Sequence, residues 1–154
     1  MKANLGSLKA HMRRMIVWVC AASVACIAAA ARADYELVGT GADKSLFHID
    51  RKYITRKGKI IKSWVMITHG GEESVSGTYP LVKYRSENSL FVYDCAEHTV
   101  GAVQNVFYSG VLGRGDIVHR KQISIDKVQM IDVIPNSMQE IVIDWVCSHA
   151  PLQN

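Results

Sequence analysis

Two stretches of the chain carry the clearest hydrophobic order. Between residues 60 and 69 apolar side chains alternate on both faces, with Ile60, Trp64 and Met66 on one and Ile61, Val65 and Ile67 on the other. That is the pattern of a central strand covered twice, by a helix and by loops or a partner. Nearer the C-terminus, Met138, Ile141, Val142 and Trp145 recur at helical spacing with Asp144 off the stripe. Ser137 followed three residues later by Glu140 forms a capping box behind Pro135, each side chain taking an otherwise orphaned amide of the first turn. Cys147 ends this helix. At about 100° per residue it projects about 200° from Trp145, off the centre of the stripe, and Ile143 and Val146 widen the apolar arc toward it.

The remaining segments read as short strands. Residues 35–38 and 46–50 are extended and separated by a turn at Gly39, Gly41 and Asp43; residues 53–55 lead to a second turn at Gly58. Residues 70–77 form a polar, glycine-rich break, the longest in the pattern, and a candidate recognition loop. Beyond it, 79–85 and 90–95 flank Ser86-Glu87-Asn88-Ser89, which reads as a hairpin turn, and Phe91, Tyr93 and Cys95 share a face. Strands follow at 99–108 and 116–125 around Gly110, Gly113 and Gly115, then 128–134 leads into the helix. About six strands joined by short turns before one terminal helix predict an α+β class: a single small domain, an antiparallel sheet with the C-terminal helix packed on it. The tail from 148 to 154 reads as frayed.

The first 33 residues change how composition is read. Lys2, Lys9, Arg13 and Arg14 precede an apolar stretch from Met15 to Ala31, and Ala31-Arg32-Ala33 is an A-x-A site, predicting a signal peptide over 1–33 cleaved between Ala33 and Asp34, and one domain over 34–154. A retained membrane helix fits less well, since roughly 17 apolar residues fall short of the usual span of about 20. The alternative is a lipid anchor at Cys26, although the Ser23-Val24-Ala25 box lacks an aliphatic first residue. The leader holds five of the 18 basic residues and none of the 14 acidic ones. The exported chain therefore keeps 13 basic against 14 acidic groups, near −1, which argues against nucleic acid as a partner. Its expected location is periplasmic or secreted, or the outer-membrane surface if lipidated.

Candidate chemistry is sparse. Cys95 and Cys147 remain after cleavage and, in an exported chain, read as one disulfide. The open alternative is a zinc site assembled from Cys95, His98, Cys147 and His149. His48, His69 and His119 are isolated, and no nucleophile elbow, phosphate loop or dinucleotide fingerprint occurs, so neither an enzyme nor a cofactor is expected. One charge feature stands out: Arg51, Lys52, Arg56, Lys57, Lys59 and Lys62, with no acid among them, and Lys83 and Arg85 as candidates to join them. Such a patch suits a sulfated glycan, an anionic membrane surface or an acidic protein segment. The competing reading is a solvated turn that keeps edge strands from aggregating.

Trp64-Val65, Tyr84 with Ser86-Glu87 ahead of Asp94-Cys95, Phe107-Tyr108 before a glycine turn, Val133-Ile134-Pro135-Asn136-Ser137, and a helix ending Val146-Cys147 together resemble the bacterial surface-adhesin protein E-like family. The resemblance implies a small antiparallel sheet with a helix fastened to it by a Cys95–Cys147 disulfide. It also implies a non-enzymatic binding module contacting host matrix or plasma proteins, since the founding adhesin is a surface lipoprotein that does so. The alternative function is a periplasmic structural or inhibitory protein acting on an envelope partner.

Overall fold

The computed structural model describes residues 35–152. The expected leader, its Ala33–Asp34 cleavage site and Cys26 lie outside them. The described chain forms β1 (Tyr35–Thr40), β2 (Leu46–Asp50), β3 (Thr55–Lys57), β4 (Ile60–Ser74), β5 (Lys83–Asp94), β6 (Thr99–Tyr108), β7 (Ile117–Gln122), β8 (Ile131–Asp132) and one helix, α1 (Met138–His149). All pairings are antiparallel, in the order β1-β2-β4-β5-β6-β7. The two short strands fill gaps. β3 pairs with residues 60–62 of β4 while β2 pairs with residues 65–68, so the two lie end to end along one edge. β8 does the same beside β7 on β6.

α1 covers one face, and the capping box operates as expected with one difference. Ser137 Oγ accepts from the Glu140 amide at 3.3 Å, whereas Glu140 Oε2 accepts from the Asn136 amide at 2.7 Å, one residue ahead of the cap. The buried face consists of Val142, Ile143 and Val146, packed on Ile49, Ile61, Val65, Tyr93 and Val100. Ile141, placed on the stripe by periodicity, is 47% exposed. The stripe is thus rotated toward Cys147, which explains how an off-centre cysteine reaches Cys95: the bonded pair has its Cα atoms 5.9 Å apart. On the opposite face of β4, Met66 is covered by the β6–β7 loop, where Gly113 lies against it and the Leu112 amide donates to Thr68 Oγ1 at 3.2 Å.

Three expectations are corrected. Residues 70–74 continue β4 rather than open a loop; β4 advances from Thr68 to Glu73 while β5 steps only from Ser86 to Tyr84, so a wide bulge absorbs the polar, glycine-rich run. Ser86–Ser89 lies inside β5 and is not a turn. Ser86 and Ser89 are fully buried because each has hydrogen-bond partners: Ser86 Oγ donates to the Gly110 carbonyl at 2.6 Å and accepts from the Gly113 amide at 2.9 Å, and Ser89 Oγ accepts from Asn105 Nδ2 at 2.7 Å. The helix also runs on to His149, whose ring stacks on Trp145 at 4.1 Å, and the Pro151 carbonyl accepts from Arg56 Nε at 2.7 Å, so the tail is held as far as Pro151.

Candidate functional site

The basic segment folds as one hairpin. Asp50 Oδ1 accepts the Lys52 amide at 3.0 Å and caps a 3-10 turn at Arg51–Tyr53; β3 then pairs with β4 across Gly58, whose φ of +59° suits glycine. Lys57 opposes Ile60 and Arg56 opposes Ile61. Arg51, Lys52, Lys57 and Lys59 are exposed, while Arg56 and Lys62 are half-buried. The acids absent from the segment arrive from its neighbours in the sheet. Arg51 Nη1 is 3.9 Å from Glu36 of β1, and Lys59 Nζ is 2.8 Å from Asp94 Oδ2 of β5. The Lys59 ammonium holds the nearly buried Asp94 carboxyl below the usual carboxylate range, and Asp94 in turn raises the Lys59 ammonium.

Lys83 and Arg85 do not join this patch. Lys83 opposes Ser74 whereas Lys62 opposes Val92, so they sit near opposite ends of β5, roughly 30 Å apart at the usual strand rise. Lys83 pairs instead with Glu72 at 3.8 Å, and Arg85 Nε is buried without a hydrogen-bond partner. The connection that closes the β4–β5 hairpin is residues 75–82. Val75 donates to the Val82 carbonyl at 2.8 Å, and the Thr78 hydroxyl donates to Val75 O and accepts from the Val82 amide. This frame projects Tyr79, Pro80 and Leu81 into solvent, Tyr79 fully exposed and Leu81 62% exposed. The sequence pattern alone places these residues in a strand; the Tyr79-Pro80-Leu81 triplet two residues after Gly77 is the signal for an exposed apolar tip. Inboard of it, His69 Nε2 is 3.7 Å from Glu87 Oε1 and packs edge-on to Tyr84, whose phenol is pushed up to about 12 by burial and by Glu87 and Glu73.

Cys95 and Cys147 are bonded, and the two histidines of the zinc alternative turn elsewhere: His98 Nε2 lies 3.2 Å from Asp144, and His149 Nδ1 lies 2.8 Å from the Trp145 carbonyl. Among the described residues no helix is long and apolar enough to cross a membrane. Beside the first turns of α1, an apolar cavity of about 110 Å³ is lined by Phe47, Ile67, Phe91 and Val142 among others.

Residues 35–148 match the sequence profile of surface-adhesin protein E. The chain belongs to the surface-adhesin protein E family. Its fold is also that of crystallised protein E from Haemophilus influenzae: a second crystal form aligns at TM-score 0.55 with 18% identity, covering 76% of this chain and 89% of that one. Protein E from non-typeable Haemophilus influenzae aligns at TM-score 0.52 with 17% identity, covering 78% and 79%. No curated protein matches. As a surface-adhesin protein E family member, the chain is an adhesin-like binding module built on a disulfide-fastened antiparallel sheet.

Proposed function

We propose that the chain is an exported, non-enzymatic module that binds a host matrix or plasma protein, or an anionic polymer, through the β3–β4 hairpin. The observation carrying this reading is the display of Arg51, Lys52, Lys57 and Lys59 on one segment of a chain that, from Asp34 on, carries 13 basic against 14 acidic groups in all. Such a patch attracts polyanions over about a Debye length, roughly 8 Å at physiological salt. Family membership supports export or surface display; in this reading the processed chain begins at Asp34, and surface display is tested by antibody labelling of intact cells. A periplasmic envelope partner is the outcome if that labelling fails.

The binding test is charge reversal. Lys57→Glu with Lys62→Glu should weaken retention on immobilised heparin and on matrix proteins and flatten its salt dependence; unchanged, salt-insensitive binding would remove the hairpin as the site. Lys59 is spared because a glutamate there would face Asp94. The exposed Tyr79–Leu81 tip favours a second contact surface, as exposed aromatic anchors are typical of protein interfaces. Tyr79→Ala with Leu81→Ser moves the site to that tip if it abolishes matrix-protein binding that charge reversal leaves intact.

A further inference from the structure

On the sheet face turned away from α1, Tyr35, Asp50, Tyr53, Trp64 and Asn88 wall a cavity of about 160 Å³. Strand register assembles it. Tyr35 of β1 opposes Asp50 of β2, and the pairing of Ile49 with Val65 brings Asp50 alongside Trp64. Asn88 opposes Met66, the next same-face position along β4 from Trp64. Tyr53, from the 3-10 turn, is 60% exposed and forms the rim.

The polar groups of this cavity are poorly matched to an empty site. Asp50 is only 2% exposed, and its Oδ1 accepts one neutral hydrogen bond, from the Lys52 amide. Among the described residues no lysine or arginine forms an ion pair with it. A carboxylate so removed from water is costly unless a positive charge approaches it. Asn88 Nδ2 donates to Tyr35 Oη at 3.2 Å, leaving the buried Oδ1 without a partner. None of the three aromatic rings is stacked on another among the described residues, so their faces are not consumed by one another. The Tyr35 phenol is raised by burial first and then by the Asp50 charge, in keeping with a negative field in the cavity.

Three aromatic side chains around one carboxylate select among cations. A hard metal ion requires six or more oxygen ligands, more than Asp50, Asn88 and the two phenols supply, and a guanidinium or primary ammonium must find an acceptor for each of its N–H donors. An alkylated ammonium demands no hydrogen bonds, and its spread positive charge suits indole and phenol faces. We infer that the cage formed by Tyr35, Asp50, Tyr53, Trp64 and Asn88 binds an alkylated ammonium cation, of the kind carried by a choline headgroup. This site adjoins the basic segment, since Asp50 and Tyr53 bracket Arg51 and Lys52 in the same 3-10 turn, but its ligand has the opposite charge to one that the hairpin would attract.

The test titrates tetramethylammonium chloride into the exported chain while the tryptophan indole resonances are followed by NMR, with Trp145 on α1 as the internal control. A saturable displacement of the Trp64 resonance is expected, unmatched by sodium chloride or by the neutral isostere tert-butanol. Asp50→Asn preserves a hydrogen-bond acceptor for the Lys52 amide and should weaken the response by about tenfold or more. Tyr53→Ala, at an exposed rim position, should weaken it several-fold and serves if Asp50→Asn disturbs folding. A Trp64 resonance that does not move, moves equally with tert-butanol, or responds undiminished in Asp50→Asn overturns the inference. Phosphocholine and phosphatidylcholine vesicles distinguish the source: a response to both assigns a lipid headgroup, and a response to phosphocholine alone assigns a soluble one. A response to neither phosphocholine nor the vesicles also overturns the inference.

Discussion

Where β4 and β5 run beneath α1, Ile61, Val65 and Tyr93 are buried at 1% exposure or less against Ile143 and Val146. Toward the far end of the same ladder, the buried polar residues Thr68 and Ser86 sit among buried Met66, Val106 and Phe107 and are covered by the β6–β7 loop. The first region is held by apolar area, a covalent bond and a capped helix. The second adds to its apolar contacts a set of side-chain hydrogen bonds whose partners come from sequence positions 24 to 44 residues distant. Apolar packing is non-directional and degrades gradually with lost area. A buried hydroxyl network is directional, so losing one partner leaves another polar group unsatisfied.

The largest test of this contrast is the disulfide. Cys95→Ser with Cys147→Ser releases a cross-link between residues 52 apart and should cost roughly 4 kcal/mol by urea unfolding, while the folded fraction keeps any hairpin-mediated binding. A loss under about 1 kcal/mol would mean that the helix face alone fastens this end. Ile143→Ala, at a position with no exposure, should cost about 3 kcal/mol, and its unfolding should remain a single transition. At the polar end, Ser86→Ala removes the acceptor of the Gly113 amide and the donor to Gly110, an expected loss of about 2 kcal/mol. Hydrogen exchange should then quicken across residues 109–116 and not in α1; equal quickening in both would erase the distinction between the two ends.

The smallest expected effect is in pH dependence, at the junction of the helix-covered end with the basic hairpin. Asp94 titrates below its ordinary value in the folded chain because Lys59 donates to it and because the Ala96 and Glu97 amides cap it. Its stabilisation is therefore present above the ordinary carboxylate pKa near 3.8 and is lost as pH falls through the lower folded value. Lys59, shifted upward, contributes below its ordinary value of 10.5 and loses that contribution as pH rises through its folded pKa. Unfolding midpoints in Asp94→Asn should fall less steeply than in the parent between pH 5 and about pH 3; identical acid limbs would show that the pair contributes nothing measurable.

The elements that sequence reasoning read correctly share one property. The capping box at Ser137 and Glu140, the two-faced run from Ile60 to Ile67 and the turn at Gly58 each depend on residues within one helix or one hairpin. The basic hairpin was legible for the same reason. Its electrostatic compensation by Glu36 and Asp94 was not, because those acids come from other strands. The cage around Trp64 was equally illegible, being drawn from β1, β2, β4, β5 and a 3-10 turn with no spacing that relates them.

By itself, then, the sequence determined the class of fold, the start of the helix, the cysteines available to fasten it and the segment that concentrates positive charge. The tertiary structure alone decided that Ser86–Ser89 is buried strand, that residues 70–74 extend β4, that Lys83 and Arg85 lie away from the hairpin, and which side of α1 faces the sheet. The physical reason is range. Hydrophobic period and capping act within a few residues, whereas a buried serine or a bulged glycine run is stable only if distant amides and carbonyls arrive to pair with it.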